Sequence, residues 1–294
     1  MNWVAIDDDN CTQCGLCIAR CECFSEKEGG IEANAGEGTC ILCGHCVALC
    51  PTMAISHQKM DKNNFIDFDP SINIETDKFK QFIRKRRSHR QFQDKAIPKE
   101  VMAEFVDICR YAPTGSNVQD VEILIVQSRE KIQKLSDLTM ESFQKAREIW
   151  RRRAESYTAK GVDMPTDVRF QVDRLERMCN RQQAAKAQGR DRILHNAPAV
   201  MIFHAPKLTS APKDNCVIAA HTVVLTAMTM GLETCYIGLV EAAATYPPLA
   251  KELDLPLNHA VFCVLILGYP KMKYLRGVDR KPIRVRWFCK IDDN

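Results

Sequence analysis

Two runs of cysteine near the start of the chain are the strongest chemical signal in the sequence. The first run consists of Cys11, Cys14, Cys17 and Cys21. The second run consists of Cys40, Cys43, Cys46 and Cys50, and Pro51 follows it. Three thiolates separated by two residues on one loop can hold three corners of a cubane iron–sulfur cluster, so a fourth must come from elsewhere. The repeated spacing therefore predicts two [4Fe-4S] clusters.

Two other uses of clustered cysteines fit this sequence less well. Zinc sites use pairs of Cys or His ligands separated by a longer spacer, not triplets at every third position. A disulfide framework needs an oxidising compartment. Residues 1–9 have neither the basic start nor the apolar core of a secretory signal peptide. We therefore expect a cytoplasmic protein with reduced cysteines.

The two cysteine runs resemble those of bacterial two-cluster ferredoxins, in which the fourth cysteine of each run binds the other run's cluster. The resemblance implies one cluster held by Cys11, Cys14, Cys17 and Cys50. It implies a second cluster held by Cys40, Cys43, Cys46 and Cys21. The first run lacks a proline after its fourth cysteine and reads Cys21-Glu22-Cys23, so Cys23 is an alternative ligand to Cys21.

Composition and charge divide the chain into two parts. Its 294 residues, 46% of them hydrophobic, suffice for about two domains. Residues 1–60 contain eight acidic and three basic side chains, whereas the remainder contains 29 acidic and 38 basic ones. We predict a cluster domain over 1–60, a polar linker over 61–76 and a larger domain over 77–294. The opposite charges would let the two domains dock electrostatically.

Hydrophobic periodicity in the larger domain predicts an α+β fold, with a mixed sheet flanked by helices. Helices are predicted over 99–111, 136–195 and 216–230. Strands are predicted over 121–127, 198–204, 233–238 and 260–267. Residues 283–290 alternate between apolar and basic side chains, which predicts a terminal strand. No apolar stretch reaches the ~18 residues that a membrane-spanning helix needs.

Three segments of the larger domain carry side chains suited to an anionic ligand. The first is the basic heptad 84–90, in which Arg86, Ser88 and Arg90 alternate and would share one face of an extended chain. Two guanidinium groups and a hydroxyl on one face suit a phosphate and the polar edge of a flavin. The second is the turn-rich loop 112–119, and the third is the stretch 231–238.

In this order and over this length, the three segments resemble the nitroreductase family of FMN-dependent oxidoreductases. The family's marks are an Arg-Arg-Ser-x-Arg start, a Pro-Ser-x-x-Asn-x-Gln loop, a Gly-Leu-Gly-x-Cys-x-Ile-Gly stretch and a Gly-Tyr-Pro that leads to a basic clamp. The resemblance covers about residues 80–294, so the whole chain resembles a ferredoxin–nitroreductase fusion. The chain departs from the family pattern at Thr114, at Asp120-Val121 and at Leu239.

The resemblance implies the residues that bind FMN. The phosphate and ribityl chain would be held by Arg86, Arg87 and Ser88, and clamped by Arg280 with Lys281. The flavin would be lined by Asn117 and by the backbone of Pro113, Thr114, Gly115 and Ser116. Flavin N5 would face the backbone of Ile237, Gly238 and Leu239. Arg90 would approach N1, where a cation stabilises reduced flavin. Chemistry would reside on N5, so the sequence names no catalytic side chain.

The resemblance implies an α/β/α sandwich and a homodimer with FMN at the subunit interface, the tail strand reaching over the partner. The expected enzyme takes electrons from an external low-potential donor, such as ferredoxin or NAD(P)H. It passes them singly through the clusters to FMN, which reduces an electron-poor small molecule such as a nitroaromatic or quinone. The alternative is a flavo-ferredoxin carrier that serves a protein partner. Nucleic-acid binding through 84–90 is the least favoured interpretation.

The remaining histidines give weaker signals. His45 lies within the second cysteine run and is interpreted as a surface residue. His195, His204 and His221 lie in apolar sequence contexts and are interpreted as structural groups. The chain contains no dinucleotide-binding glycine fingerprint, which counts mildly against a dedicated NAD(P)H domain. We expect neither a nucleic-acid partner nor a membrane partner.

Overall fold

The computed structural model describes residues 1–288, and its first sixty residues contain two small antiparallel ribbons and two short helices. In chain order the elements are β1 (Val4–Ile6), α1 (Leu16–Arg20), β2 (Phe24–Lys27), β3 (Gly30–Ala33), α2 (His45–Leu49) and β4 (Ile55–His57). Strand β1 pairs with β4, and β2 pairs with β3. A small core is shared by Val4, Phe24, Ile31 and Ile55, together with several cysteines.

The segment after this module has little regular structure until α3 (Thr76–Lys85), which begins at the predicted edge of the larger domain. Only one short 3-10 turn, Lys62–Asn64, interrupts it. Its apolar side chains are exposed, among them Phe68 and Ile72.

The larger part of the chain alternates helices with the strands of one sheet. Its helices are α4 (Lys99–Cys109), α5 (Arg129–Ala159), α6 (Thr166–Lys186), α7 (Pro212–Thr229), α8 (Gly238–Ala243) and α9 (Pro247–Leu253). Its strands are β5 (Glu122–Val126), β6 (Ala199–Pro206), β7 (Glu233–Tyr236) and β8 (His259–Gly268). The four strands predicted between residues 121 and 267 are confirmed to within two residues. The long helical region predicted over 136–195 is a hairpin of two helices, α5 and α6.

The sheet has the strand order β5-β6-β8-β7, and all of its neighbouring strands are antiparallel. The prediction of a mixed sheet was therefore wrong. The reason lies in the connections: the α5–α6 hairpin returns the chain to the end of the sheet where β5 finished. Strands β6 and β7 run in the same direction, but β8 lies between them.

Helices cover both faces of the sheet, which gives three layers. On one face, Val200 and Ile202 of β6 pack with residues of α5, α8 and α9. On the other face, Met201 and Phe203 pack with residues of α4 and α7. Each face takes alternate residues because successive side chains of a strand point to opposite sides.

The described part of the tail, residues 271–288, contains neither helix nor strand. Within one chain, residues 283–288 do not form the predicted terminal strand, while 289 and 290 lie outside the described residues. The expected reach of this tail over a partner stays a prediction. An alternating sequence forms a strand only where a neighbouring segment pairs with its backbone N–H and C=O groups. In a single copy of the chain, no described segment pairs with residues 271–288 in this way. Within residues 1–288, no helix is long and apolar enough to cross a membrane.

Candidate functional site

The two cysteine runs adopt the same backbone conformation. Gln13 and Leu42 have φ values of 55° and 56°. Gly15 and Gly44 follow with φ values of 73° and 71°, and each caps the helix that begins at the next residue. Glycine adopts this left-handed conformation without steric cost. The sequence repeat is thus also a structural repeat.

The cysteine side chains of this module lie in two groups. One cavity is lined by Cys11, Cys14, Cys17 and Cys50, and also by Cys46. Burial, together with the neighbouring thiols of Cys21, Cys43 and Cys40, raises the pKa of the Cys46 thiol to about 11. All cysteines within residues 1–288 are free thiols. These two neighbourhoods have the composition of the predicted ligand sets, and thiolates are the ligands that iron–sulfur clusters use.

Cys23 lies beside Cys21 and Cys40 of the second group. Its Sγ donates to the carbonyl oxygen of Thr39 at 3.6 Å. Burial and the adjacent Cys21 thiol raise the pKa of Cys23. These contacts favour Cys21 over Cys23 as the fourth ligand of the second cluster. That assignment stays a prediction.

His57 is a residue of this module that the sequence did not single out. Its imidazole is only 4% exposed. Its Nδ1 accepts a hydrogen bond from the N–H of Lys59 at 3.1 Å, so the proton of the neutral ring is on Nε2. Nε2 lies 3.6 Å from the Sγ of Cys40 and can donate to it. No spacing rule would have revealed this contact, because it joins β4 to a loop seventeen residues earlier.

In the larger domain, the structure brings the basic heptad against β7. The N–H of His89 donates to the carbonyl oxygen of Thr234 at 3.0 Å. Burial raises the pKa of the Cys235 thiol, while nearby Arg90 and the hydroxyl of Ser88 oppose that rise. Two of the three predicted segments, 84–90 and 231–238, thus lie against each other and form one basic cradle.

Behind this cradle is a buried acid–imidazole contact. His89 Nε2 lies 3.4 Å from the Glu233 carboxylate, and the His89 side chain is 4% exposed. Burial raises the pKa of Glu233 to about 7, although Arg86 opposes the rise. Burial likewise lowers the pKa of His89, and Arg87 lowers it further. Both groups are therefore driven towards their neutral forms.

The backbone at the end of β7 determines which N–H groups remain for a ligand. The N–H of Ile237 donates to the carbonyl oxygen of Val264 at 2.9 Å. The N–H of Ile237 is therefore used within the sheet, and the backbone N–H that the resemblance implies for residues 237–239 would have to come from the other two residues. The N–H groups of Gly238 and Leu239 begin α8 and remain candidates, and a Cβ at Gly238 would meet no atom within 4 Å.

The second predicted segment lies apart from that cradle. The N–H of Gly115 donates to Asn215 Oδ1 at 2.9 Å, which holds the loop against the start of α7. Ser116 and Asn117 have left-handed φ values of 51° and 53°. The Asn117 side-chain amide donates to the carbonyl oxygen of Ile41 at 2.8 Å. Ile41 lies between Cys40 and Cys43, so this loop contacts the second cysteine run.

The other predicted site residues are more scattered. Arg280 and Lys281 lie in the extended tail, and both are exposed. Arg87 lies over the ring of Tyr274 at 5.0 Å, which links the basic heptad to the beginning of that tail.

His221 is exposed on α7, so its interpretation as a core group was wrong: it lies on the outer face of an otherwise apolar helix. His195 is partly buried near Arg90.

Fold and site together define an enzyme of the flavin oxidoreductase class. The chain belongs to the nitroreductase family, whose model matches residues 83–269. The chloronitrobenzene nitroreductase of Comamonas testosteroni is 26% identical over 197 residues, which is 64% of this chain and 84% of that protein.

Two solved structures share the fold at low sequence identity. A nitroreductase with bound FMN from Bacteroides fragilis has a TM-score of 0.51 at 18% identity, covering 70% of this chain and 97% of that one. A BluB-like flavoprotein from Clostridium difficile has a TM-score of 0.52 at 16% identity, covering 71% of this chain and 96% of that one.

Proposed function

We propose that this protein is an FMN-dependent oxidoreductase that receives electrons through two [4Fe-4S] clusters and reduces an electron-poor small molecule of the nitroaromatic or quinone type. Residues 1–60 would form a two-cluster ferredoxin-like domain, 61–76 a linker and 77–294 the FMN domain. Family membership supports the flavin part, and a nitroaromatic acceptor is favoured by the name of the Comamonas relative. Clusters transfer single electrons, whereas a flavin can accept two and pass them on together. A chain with both groups could therefore use one-electron donors for a two-electron reduction.

The observation that carries the proposal is the hydrogen bond between Asn117 and the backbone of Ile41. It joins the loop expected to line the flavin with the loop expected to hold the second cluster. Electron transfer between cofactors needs them to be close, and this contact brings their two binding loops together. Cys40 belongs to the same loop as Ile41, and the imidazole of His57 can donate a hydrogen bond to its sulfur. This hydrogen bond would raise the reduction potential of the second cluster, since hydrogen bonds to cluster sulfurs stabilise the reduced form.

The residues of the cradle fit an FMN group. Arg86, Ser88 and Arg90 surround Cys235 at the end of β7, and a guanidinium fork matches the geometry of a phosphate. We assign phosphate and ribityl binding to Arg86, Arg87 and Ser88, and the clamp to Arg280 and Lys281. Bound FMN would supply hydride transfer, and Arg90 would hold a fixed positive charge at the flavin edge.

A homodimer would complete this site. The loop 113–117 lies apart from the cradle in one chain, so a second copy is needed to bring Asn117 over the flavin. Exposed apolar side chains, including Phe79 on α3 and Trp287 in the tail, supply surface for such an interface. The tail is proposed to cross onto the partner.

The electron donor is proposed to be an external low-potential carrier such as ferredoxin, or NAD(P)H. The second candidate function is a flavo-ferredoxin that passes electrons to a protein, which the same contact between the two loops would allow. Sustained turnover of small nitroaromatic or quinone acceptors without a partner protein would exclude that carrier role. Nucleic-acid binding through 84–90 predicts that Arg86→Ala retains its flavin, whereas our assignment predicts loss of FMN.

The test compares two neighbouring cysteine variants with the parent protein, all purified anaerobically. We expect about eight irons and one FMN per chain in the parent. Cys21→Ser should lose about four irons but keep FMN, and its flavin should be reduced at least tenfold more slowly by reduced ferredoxin. Cys23→Ser is the matched control and should behave as the parent does.

Iron, sulfide and flavin analysis together with stopped-flow spectra provide the readout. A parent protein with FMN but without iron would refute the cluster part of the proposal. Unchanged flavin reduction in a Cys21→Ser protein that has lost its irons would refute electron entry through the second cluster. Iron loss in Cys23→Ser alone would assign the fourth ligand to Cys23.

A further inference from the structure

Three side chains at one end of the sheet meet in a group that the proposed function does not use. They are Glu122 on β5, His204 on β6 and His259 on β8. Their potential ligand atoms all lie within 4.8 Å of one another. The Nδ1 atoms of the two histidines are 2.9 Å apart, and the Glu122 carboxylate lies 4.0 Å from His204 and 3.9 Å from His259.

An irregularity in the strands brings these residues together. Glu122 is the direct partner of His204 in the β5–β6 ladder. Between β6 and β8 the register shifts, so that Phe203 pairs with Cys263 but His204 pairs with Val261. The extra residue is Phe262, which forms a β-bulge.

The bulge reverses the alternation of β8. On its regular side, Val264 and Ile266 face the core layer next to α5, whereas beyond the bulge Val261 faces that layer. His259 therefore points to the same side as His204, and an uninterrupted strand would have sent it to the opposite face. Bulges commonly re-aim side chains near functional sites.

The environment of the group suits a cation. The side chains of His204 and His259 are 5% and 6% exposed, while Glu122 is 56% exposed and leaves a path from solvent. Within residues 1–288, the ion-pair partners of Glu122 are these two histidines rather than a lysine or arginine. The two Nδ1 atoms share one proton. A metal bound by both imidazoles would displace that proton to the other ring nitrogen or to solvent, so that each Nδ1 offers a lone pair.

We propose that Glu122, His204 and His259 form a divalent transition-metal site with zinc-type chemistry. Two imidazoles and one carboxylate are an established protein ligand set for zinc, with a remaining position for water. Ligand atoms about 2.1 Å from a tetrahedral zinc are about 3.4 Å apart. Binding would therefore move the two Nδ1 atoms slightly apart from 2.9 Å and draw the Glu122 carboxylate closer from within 4.8 Å. The site requires neither the clusters nor the flavin.

The test is equilibrium dialysis of the anaerobic, cluster-loaded protein against ZnCl2, with zinc and iron measured in the same samples. We expect one additional zinc per chain at unchanged iron content. Glu122→Gln should weaken zinc binding at least tenfold, and His259→Asn should abolish it. His221→Asn replaces an exposed histidine on α7 and should bind zinc as the parent does.

Added zinc should also raise the melting temperature of the parent and of His221→Asn, but not that of His259→Asn, which separates loss of the site from loss of the fold. Zinc-edge X-ray absorption should show nitrogen and oxygen at about 2.0–2.1 Å. The proposal is overturned by absence of bound zinc in the parent, by equal binding in His259→Asn, by sulfur at about 2.3 Å, or by zinc uptake at the expense of iron.

Discussion

At the scale of single residues, the basic cradle contains an acid whose pKa is raised by burial. The Glu233 side chain is 21% exposed and lies beside the buried imidazole of His89. Burial raises its pKa from 4.5 to about 7, despite the nearby Arg86. An acid whose pKa is higher in the folded than in the unfolded chain binds extra protons on folding, so it favours folding at low pH.

We predict that Glu233→Gln makes stability less dependent on pH. In the parent, the stabilisation of the folded state by protonated Glu233 is complete below pH 4.5 and is lost as the pH rises through about 7. The amide has no charge to desolvate, so the variant should be more stable than the parent at pH 8 by roughly 1–3 kcal/mol. The difference should be much smaller at pH 5.

Melting temperatures of the anaerobic holoprotein between pH 5 and 8.5 provide the measurement. Glu155→Gln, at an exposed position on α5, serves as the control and should follow the parent. If Glu233→Gln and the parent lose stability in parallel above pH 6, Glu233 is ionised in the folded protein and the prediction is wrong.

At the scale of elements, the end of β8 packs against two other segments at very close range. A Cβ added to Gly268 would lie 2.7 Å from Cγ of Pro198 and 2.9 Å from Cδ1 of Phe92. Phe92 is held in place by a bridge to Pro270, just beyond the strand. The Gly-Tyr-Pro motif therefore has a packing role: it lets the segment after the basic heptad lie against the sheet.

We predict that Gly268→Ala destabilises the protein by about 1–3 kcal/mol, because the rings of Pro198 and Phe92 leave no room for the methyl group. Gly277→Ala is the matched control, since a Cβ there would meet nothing within 4 Å. Thermal unfolding of both variants provides the measurement. Equal melting temperatures would mean that Pro198 and Phe92 move aside at little cost.

At the scale of the whole molecule, a single chain leaves much apolar surface in water. Phe68 and Leu275 are 94% and 88% exposed, and Phe288 at the end of the described tail is 89% exposed. These residues lie in the two extended segments that flank the compact part of the FMN domain. Exposed apolar surface of this extent is typical of a protein–protein interface, which supports the proposed homodimer.

We predict that Trp287→Asp weakens dimerisation at least tenfold, because buried tryptophans dominate interface energies. The control is Leu257→Asp, a substitution at a fully exposed turn position before β8. Sedimentation velocity over a range of protein concentrations measures the dissociation constant. A dimer that is equally stable in both variants would place the interface elsewhere, and a monomeric parent would exclude the proposed shared site.

Local patterns in the sequence were sufficient for the four strands of the large sheet and for its longer helices. The cysteine spacing and the glycines beside it specify two equivalent turns, because a tight loop depends on neighbouring residues only. Apolar periodicity predicted α4, α7 and β8 for a similar reason, since burying one face of a helix or strand requires a regular repeat. The order of the basic, turn-rich and glycine-containing segments was enough to indicate the nitroreductase family.

Contacts between distant segments were decided by the tertiary structure alone. Only the folded chain shows that Ile237 uses its N–H within the sheet, that Asn117 reaches Ile41, and that antiparallel neighbours replace the expected mixed sheet. The bulge at Phe262 is the clearest case, because one inserted residue changes the side of the sheet to which His259 points. Strand register depends on pairing with another strand, and the sequence of one strand does not contain that information.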